Sequence, residues 1–149
     1  MGSNPHKHLA RVEVDSIYGG PLPFPLCQVA EDCLESFLQL QADLARAGGR
    51  LVLSDLFRPY YLQEELKRRK PRLALAPLRS FHCAGRAMDV TLGAVGLEYP
   101  RLREIMAGHH WFPLLSGREP WHFQRTRDVG PGRRFTSVAE AVRWVSNDR

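Results

Sequence analysis

Apolar residues recur along the chain with two periods, and the change between them marks the elements. From residue 29 to 47, Ala30, Cys33, Leu34, Phe37, Leu38, Gln41, Leu44 and Ala45 follow i, i+3, i+4, i+7 spacing, which predicts an amphipathic helix. Gly48-Gly49 ends it. Arg50 to Ser54 is a short apolar run that reads as a buried strand. Tyr60 to Lys70 is a second helix, with Glu64 and Glu65 placed ahead of Lys67 to Arg69, and Pro71 closes it. Asp89-Val-Thr-Leu92 alternates like a half-buried strand. Pro100 suits the first turn of a helix running to about Ala107. Trp111 to Leu115 and Trp121 to Gln124 read as a hairpin across Ser116-Gly117-Arg118. Ser137 and Glu140 form a capping box that opens a last helix, with Val138, Val142 and Val145 inward. Residues 1–27 carry Pro21, Pro23 and Pro25 and read as an extended N-terminal arm, with a short strand at Arg11 to Val14. Residues 28–149 form the body. The order of elements gives an α+β fold: a small antiparallel sheet with helices packed against it.

Length and composition narrow the class. The 149 residues make one domain, with 44% hydrophobic and 25% charged residues, as in a soluble globular protein. No apolar run approaches the ~20 residues of a membrane span. The net charge of +5 favours anionic partners, yet no aromatic-and-basic motif of a nucleic-acid module appears, so nucleic acid is not an expected partner. Three cysteines, Cys27, Cys33 and Cys83, are too few for a disulfide framework. A monomer is expected.

The chemistry concentrates in Ser80-Phe-His82-Cys-Ala-Gly85-Arg-Ala87-Met-Asp89 and in Glu119-Pro-Trp121-His122. Two histidines, one aspartate and a spare glutamate are the inventory of a catalytic zinc site. Three protein ligands leave the fourth position to water, and a carboxylate takes that water's proton. The helical HExxH arrangement is absent. His82 and Asp89, seven apart with Gly85 between, suit a strand, a turn and a second strand. Cys83 next to a ligand points to the opposite face on alternating geometry, which disfavours a Cys–His nucleophile. His109 and His110 suit a partly exposed helix end.

The pair of motifs, SxHxxGxAxD followed by ExWH, resembles the zinc D-alanyl-D-alanine metallopeptidases. That group includes carboxypeptidases, D,D-dipeptidases and L-alanyl-D-glutamate endopeptidases of peptidoglycan. Its fold is shared with lysostaphin-type peptidases and the hedgehog signalling domain. The resemblance runs from about Ser54 to Phe123. It implies Zn2+ held by His82, Asp89 and His122, with Glu119 as general base and Arg58 stabilising the developing oxyanion or holding substrate. It also implies substrate contacts from Ser80 and Gln63, and Trp121 reads as a pocket wall. The implied substrates are peptidoglycan stem peptides, cut next to a D-amino acid, with D-Ala-D-Ala carboxypeptidase action preferred. An L-Ala-D-Glu endopeptidase of the endolysin or effector type, or a hedgehog-like zinc module without activity, are the alternatives. Action on the wall implies a secreted or periplasmic protein, or one delivered by a phage or secretion system, although no signal peptide opens this chain.

Overall fold

The computed structural model describes residues 7–126 and 131–146. Twelve regular elements follow one another: β1 (Leu9–Arg11), β2 (Asp15–Ser16), β3 (Gly20–Pro21), β4 (Gln28–Ala30), α1 (Leu34–Arg46), β5 (Val52–Asp55), α2 (Tyr60–Arg69), β6 (Ala87–Val90), α3 (Tyr99–Gly108), β7 (Phe112–Pro113), β8 (His122–Gln124) and α4 (Val138–Val145). Six strands form one sheet in the order β3-β2-β5-β6-β8-β7, and β1 pairs with β4 in a separate two-stranded ribbon. The architecture is α+β, as the pattern predicts. Every pair in the large sheet is antiparallel except β2 with β5.

The segment expected as an arm is extended, and over residues 7–27 it is knitted into the body. Leu9, Ala10 and Arg11 pair with Ala30, Val29 and Gln28. Val12, Val14 and Leu22 are buried in the same core as α1. That pairing also corrects the start of the first helix. Val29 and Ala30 lie in a strand, residues 31–33 form a 3-10 turn, and α1 begins only at Leu34. Tertiary partners claim the backbone there: the Ala30 N–H donates to the Gly85 carbonyl and the Glu31 N–H to His8. The buried stripe of this segment is Cys33, Phe37, Leu40 and Leu44, so Leu40 is inward while Leu38 is half exposed. The helix ends as Gly48-Gly49 predicts. Gly48 takes φ +89°, its N–H donates to Ala45, and the Gly49 N–H reaches back to Leu44, a Schellman closure.

The expected strand before the glycine turn does not form. Residues 77–79 make a 3-10 turn and residues 81–85 are a run of turns, so His82 stands on a turn and Asp89 on a strand. Gly85 shows why a glycine occupies the turn. Its φ is +71°, and a Cβ there would lie 2.7 Å from the Ala30 nitrogen. The close approach lets the turn lean on β4. In α4, Ser137 caps the helix through the Glu140 N–H, while the Glu140 carboxylate accepts from Thr136, one residue earlier than in the standard box.

A buried ion pair ties the body together behind the turn. Arg86 donates twice to Asp32, at 2.8 and 2.9 Å, and Asp32 also accepts from the Arg133 N–H. Burial pushes the Asp32 carboxyl up, but the hydrogen bonds and charge of Arg86 outweigh it and hold the pKa below its ordinary value. The pair's stabilisation is therefore present above the ordinary carboxyl value and is lost as pH falls through the lower one. Asp32→Ala leaves Arg86 buried without its counter-charge. It is expected to cost about 3–5 kcal/mol in urea unfolding at neutral pH, and a loss below 1 kcal/mol would show that the pair is not a structural tie.

Candidate metal centre

The sheet register lays out the site. Asp55 of β5, Asp89 of β6 and His122 of β8 are successive neighbours, because Asp55 pairs with Asp89 and Asp89 with His122. A bulge between Leu53 and Asp55 brings the two aspartates side by side. His82 reaches the same place from its turn. The Nε2 of His82 is 3.2 Å from Asp89 Oδ1, and the Nδ1 of His122 is 3.1 Å from the same oxygen. The two imidazoles meet edge to face, with centroids 5.1 Å apart. Among the described residues, His82, Asp89 and His122 form a group that could hold a metal ion, their ligand atoms all within 4.8 Å of one another.

The outer nitrogens are occupied. His82 Nδ1 is 2.7 Å from the Leu56 carbonyl, and His122 Nε2 is 2.9 Å from Gln124 Oε1. A carbonyl only accepts, so His82 Nδ1 carries a proton. In the neutral ring Nε2 is then a lone pair, facing a carboxylate oxygen. Lone pairs at that distance repel unless a proton or a cation lies between them. The donor set thus fits a divalent cation, and two imidazoles with one carboxylate suit zinc by ligand type. Burial pushes Asp89 up, but hydrogen bonds from His122 and His82 and their charge hold it well below the usual carboxylate range. Burial pushes His122 down, and its bonds to Asp89 and Gln124, with the charges of Asp89 and Glu119, outweigh that and raise it.

The remaining residues sit around this centre. Arg58 faces both aspartates, 3.0 Å from Asp55 Oδ2 and 3.8 Å from Asp89 Oδ2. Its other arm donates to Gln63 Oε1 at 2.8 Å, and Gln63 donates in turn to the Leu75 carbonyl at 2.6 Å. Gln63 is buried and orients Arg58 rather than lining an open surface. Ser80 is buried as well, and its hydroxyl accepts from the Cys83 N–H at 3.4 Å, closing the turn that carries His82. Glu119 is exposed, its carbonyl accepts from the His122 N–H at 3.0 Å, and its charge is felt by His122. Trp121 is 40% exposed between them. His109 is elsewhere, bonded to Asp43 at 2.6 Å. Asp55, the Leu56 carbonyl and Gln124 join the centre from outside both motifs. Gln124 carried a usable signal, since i and i+2 on a strand share a face with His122. Asp55 carried none, because only the bulge brings it beside Asp89.

Beyond Gln124 a groove of about 890 Å³ opens, lined by Phe112, Pro113, Leu114, Leu115 and Pro120. The fold is similar to that of a solved structure of the LdcB LD-carboxypeptidase, described as revealing the molecular basis of peptidoglycan recognition. The likeness has a TM-score of 0.63 and 16% sequence identity, over 80% of this chain and 68% of that one. No model of a protein family and no curated protein sequence matches the chain.

The thiols take no part in the centre. Cys83 packs with Ala84, Phe135, Ala141 and Val142 on the far side of the turn. Burial pushes its pKa up to about 12, and that of Cys33 up to about 11. Both are expected to resist iodoacetamide at pH 8 in the folded protein and to react fully in denaturant, read by mass spectrometry. Rapid labelling of Cys83 in the native state would put it on the accessible side.

Proposed function

We propose that the protein is a zinc peptidase that hydrolyses a bond next to a D-amino acid in peptidoglycan stem peptides, with release of terminal D-alanine from D-Ala-D-Ala as its preferred reaction. The observation that carries this reading is the convergence of His82, His122 and Asp89 on one point of a sheet, in a fold shared with a peptidoglycan carboxypeptidase. The neighbour's description as an LD-carboxypeptidase favours one second reading, removal of D-alanine from an L,D bond. Under either reading the work is done on wall peptides, outside the cytoplasm. Among the described residues no helix is long and apolar enough to cross a membrane.

His82 Nε2, His122 Nδ1 and one Asp89 oxygen would hold the ion, since those atoms already face one another. When bound, zinc supplies Lewis-acid polarisation of the scissile carbonyl and makes water a nucleophile near neutral pH. Glu119 acts as general base, because it is exposed beside His122 while Asp89 is committed to the centre. It takes the proton of the attacking water and delivers it to the leaving amine. Arg58 presents its guanidinium to the developing negative charge on the carbonyl oxygen or to the substrate carboxylate. Gln63 and Asp55 fix the direction of that guanidinium. Ser80 acts through the turn, and Trp121 walls the approach.

Three measurements test this reading. Defined muropeptides analysed by mass spectrometry should lose a terminal D-alanine. Pentapeptide loss marks the D,D reaction and tetrapeptide loss the L,D reaction, whereas an internal L-Ala-D-Glu cut would overturn both. Glu119→Gln keeps the shape without the base, so kcat should fall about 10²–10⁴-fold with zinc content unchanged. Near-normal turnover by the fully metallated variant would sink the assigned base and point to a binding module. Chelation should abolish hydrolysis while circular dichroism stays largely unchanged, because the domain has a core of its own. Collapse of the spectrum would mean a structural metal.

A further inference from the structure

We infer that Gln124 is a positioning residue for the metal centre: its side-chain oxygen holds His122 in the tautomer whose Nδ1 is free to bind the ion. The inference rests on the metal reading and assigns the choice of ligand atom to a residue outside the motif. Gln124 stands two residues after His122 on β8, on the same face of the strand, with Oε1 at 2.9 Å from Nε2. As an acceptor it keeps the proton on Nε2.

The competing pull comes from Asp89. Its Oδ1 lies 3.1 Å from His122 Nδ1 and would accept a proton there. A proton on Nδ1 would occupy the ion's place and leave Nε2 bare on the groove side. Gln124 opposes that shift. His82 needs no such side chain, because its outer nitrogen faces the Leu56 backbone carbonyl at 2.7 Å, an acceptor that cannot reverse. The two rings thus receive the same service, one from the main chain and one from an amide. The amide supplies it without adding a negative charge to a site that already holds Asp89 and Asp55 beside the Arg58 guanidinium.

The test is zinc affinity, read by chelator competition on the wild type, Gln124→Leu and Gln124→Glu at pH 7.5, with circular dichroism as the check of fold. Gln124→Leu should bind zinc about 10–100-fold more weakly. Gln124→Glu keeps an acceptor and should recover affinity to within a few-fold of the wild type or better. Long-range 15N NMR of the zinc-loaded wild type should show His122 protonated at Nε2, a readout that depends on no variant. Wild-type affinity in a folded Gln124→Leu protein, or a proton on His122 Nδ1 in the loaded protein, would overturn the role of Gln124 while leaving the metal site standing. A wild type that takes up no zinc would overturn the metal reading and this inference together.

Discussion

One carboxylate oxygen faces a nitrogen of each of two imidazoles. Asp89 Oδ1 lies 3.2 Å from His82 and 3.1 Å from His122, and the outer nitrogen of each ring has an acceptor of its own. Three acceptors pointing at one place is an unstable arrangement unless something positive occupies it. The demand explains why the same atoms suit a divalent ion. Much of the surrounding structure keeps those three groups from relaxing apart.

That restraint is distributed over several elements. Asp89 and His122 are paired residues on adjacent strands, so their separation is fixed by the ladder rather than by side-chain choice. His82 has no strand to hold it. Its turn is pinned at three points: the Ser80 hydroxyl on the Cys83 N–H, the Gly85 carbonyl on the Ala30 N–H, and the His82 carbonyl on the Arg58 N–H. Arg86, one residue after the turn, is anchored to Asp32 at the start of the first helical segment. Cys83 and Ala84 fill a second small core under α4. The turn therefore leans on β4, on the first helical segment and on α4 at once, which makes a histidine on a loop as well placed as one on a strand.

The candidate metal-binding group was legible because its chemistry is local. Two histidines, an aspartate and a glycine at fixed spacing mark a turn, and Gly85 makes it, although the strand expected before that turn does not form. The helices at residues 60 and 99 were legible from periodicity and proline placement for the same reason. What escaped was whatever a distant partner decides. Residues 29–33 have helical spacing, yet strand β1 pairs with Val29 and Ala30 and draws them into a ribbon. Leu38 and Leu40 are equally apolar, and only the direction of the core selects Leu40. Nothing in the sequence marks Asp55, and the bulge in β5 sets it beside Asp89.

Arg58 shows how these levels meet. In sequence it is one of many arginines. In the fold it is held by Gln63 on one arm and by Asp55 on the other, within 3.8 Å of Asp89. A guanidinium neutralised by a neighbouring carboxylate needs less compensation when half enclosed, and its fork of donors stays fixed in direction. Asp55 thus lets a positive group stand close to the candidate metal-binding group. Under the proposed peptidase reading, the same pairing sets a condition on substrate: an incoming carboxylate competes with Asp55 for Arg58, whereas a carbonyl oxygen gaining charge shares the guanidinium. Under that reading the second use displaces less, and the contribution of Arg58 would fall on turnover more than on binding.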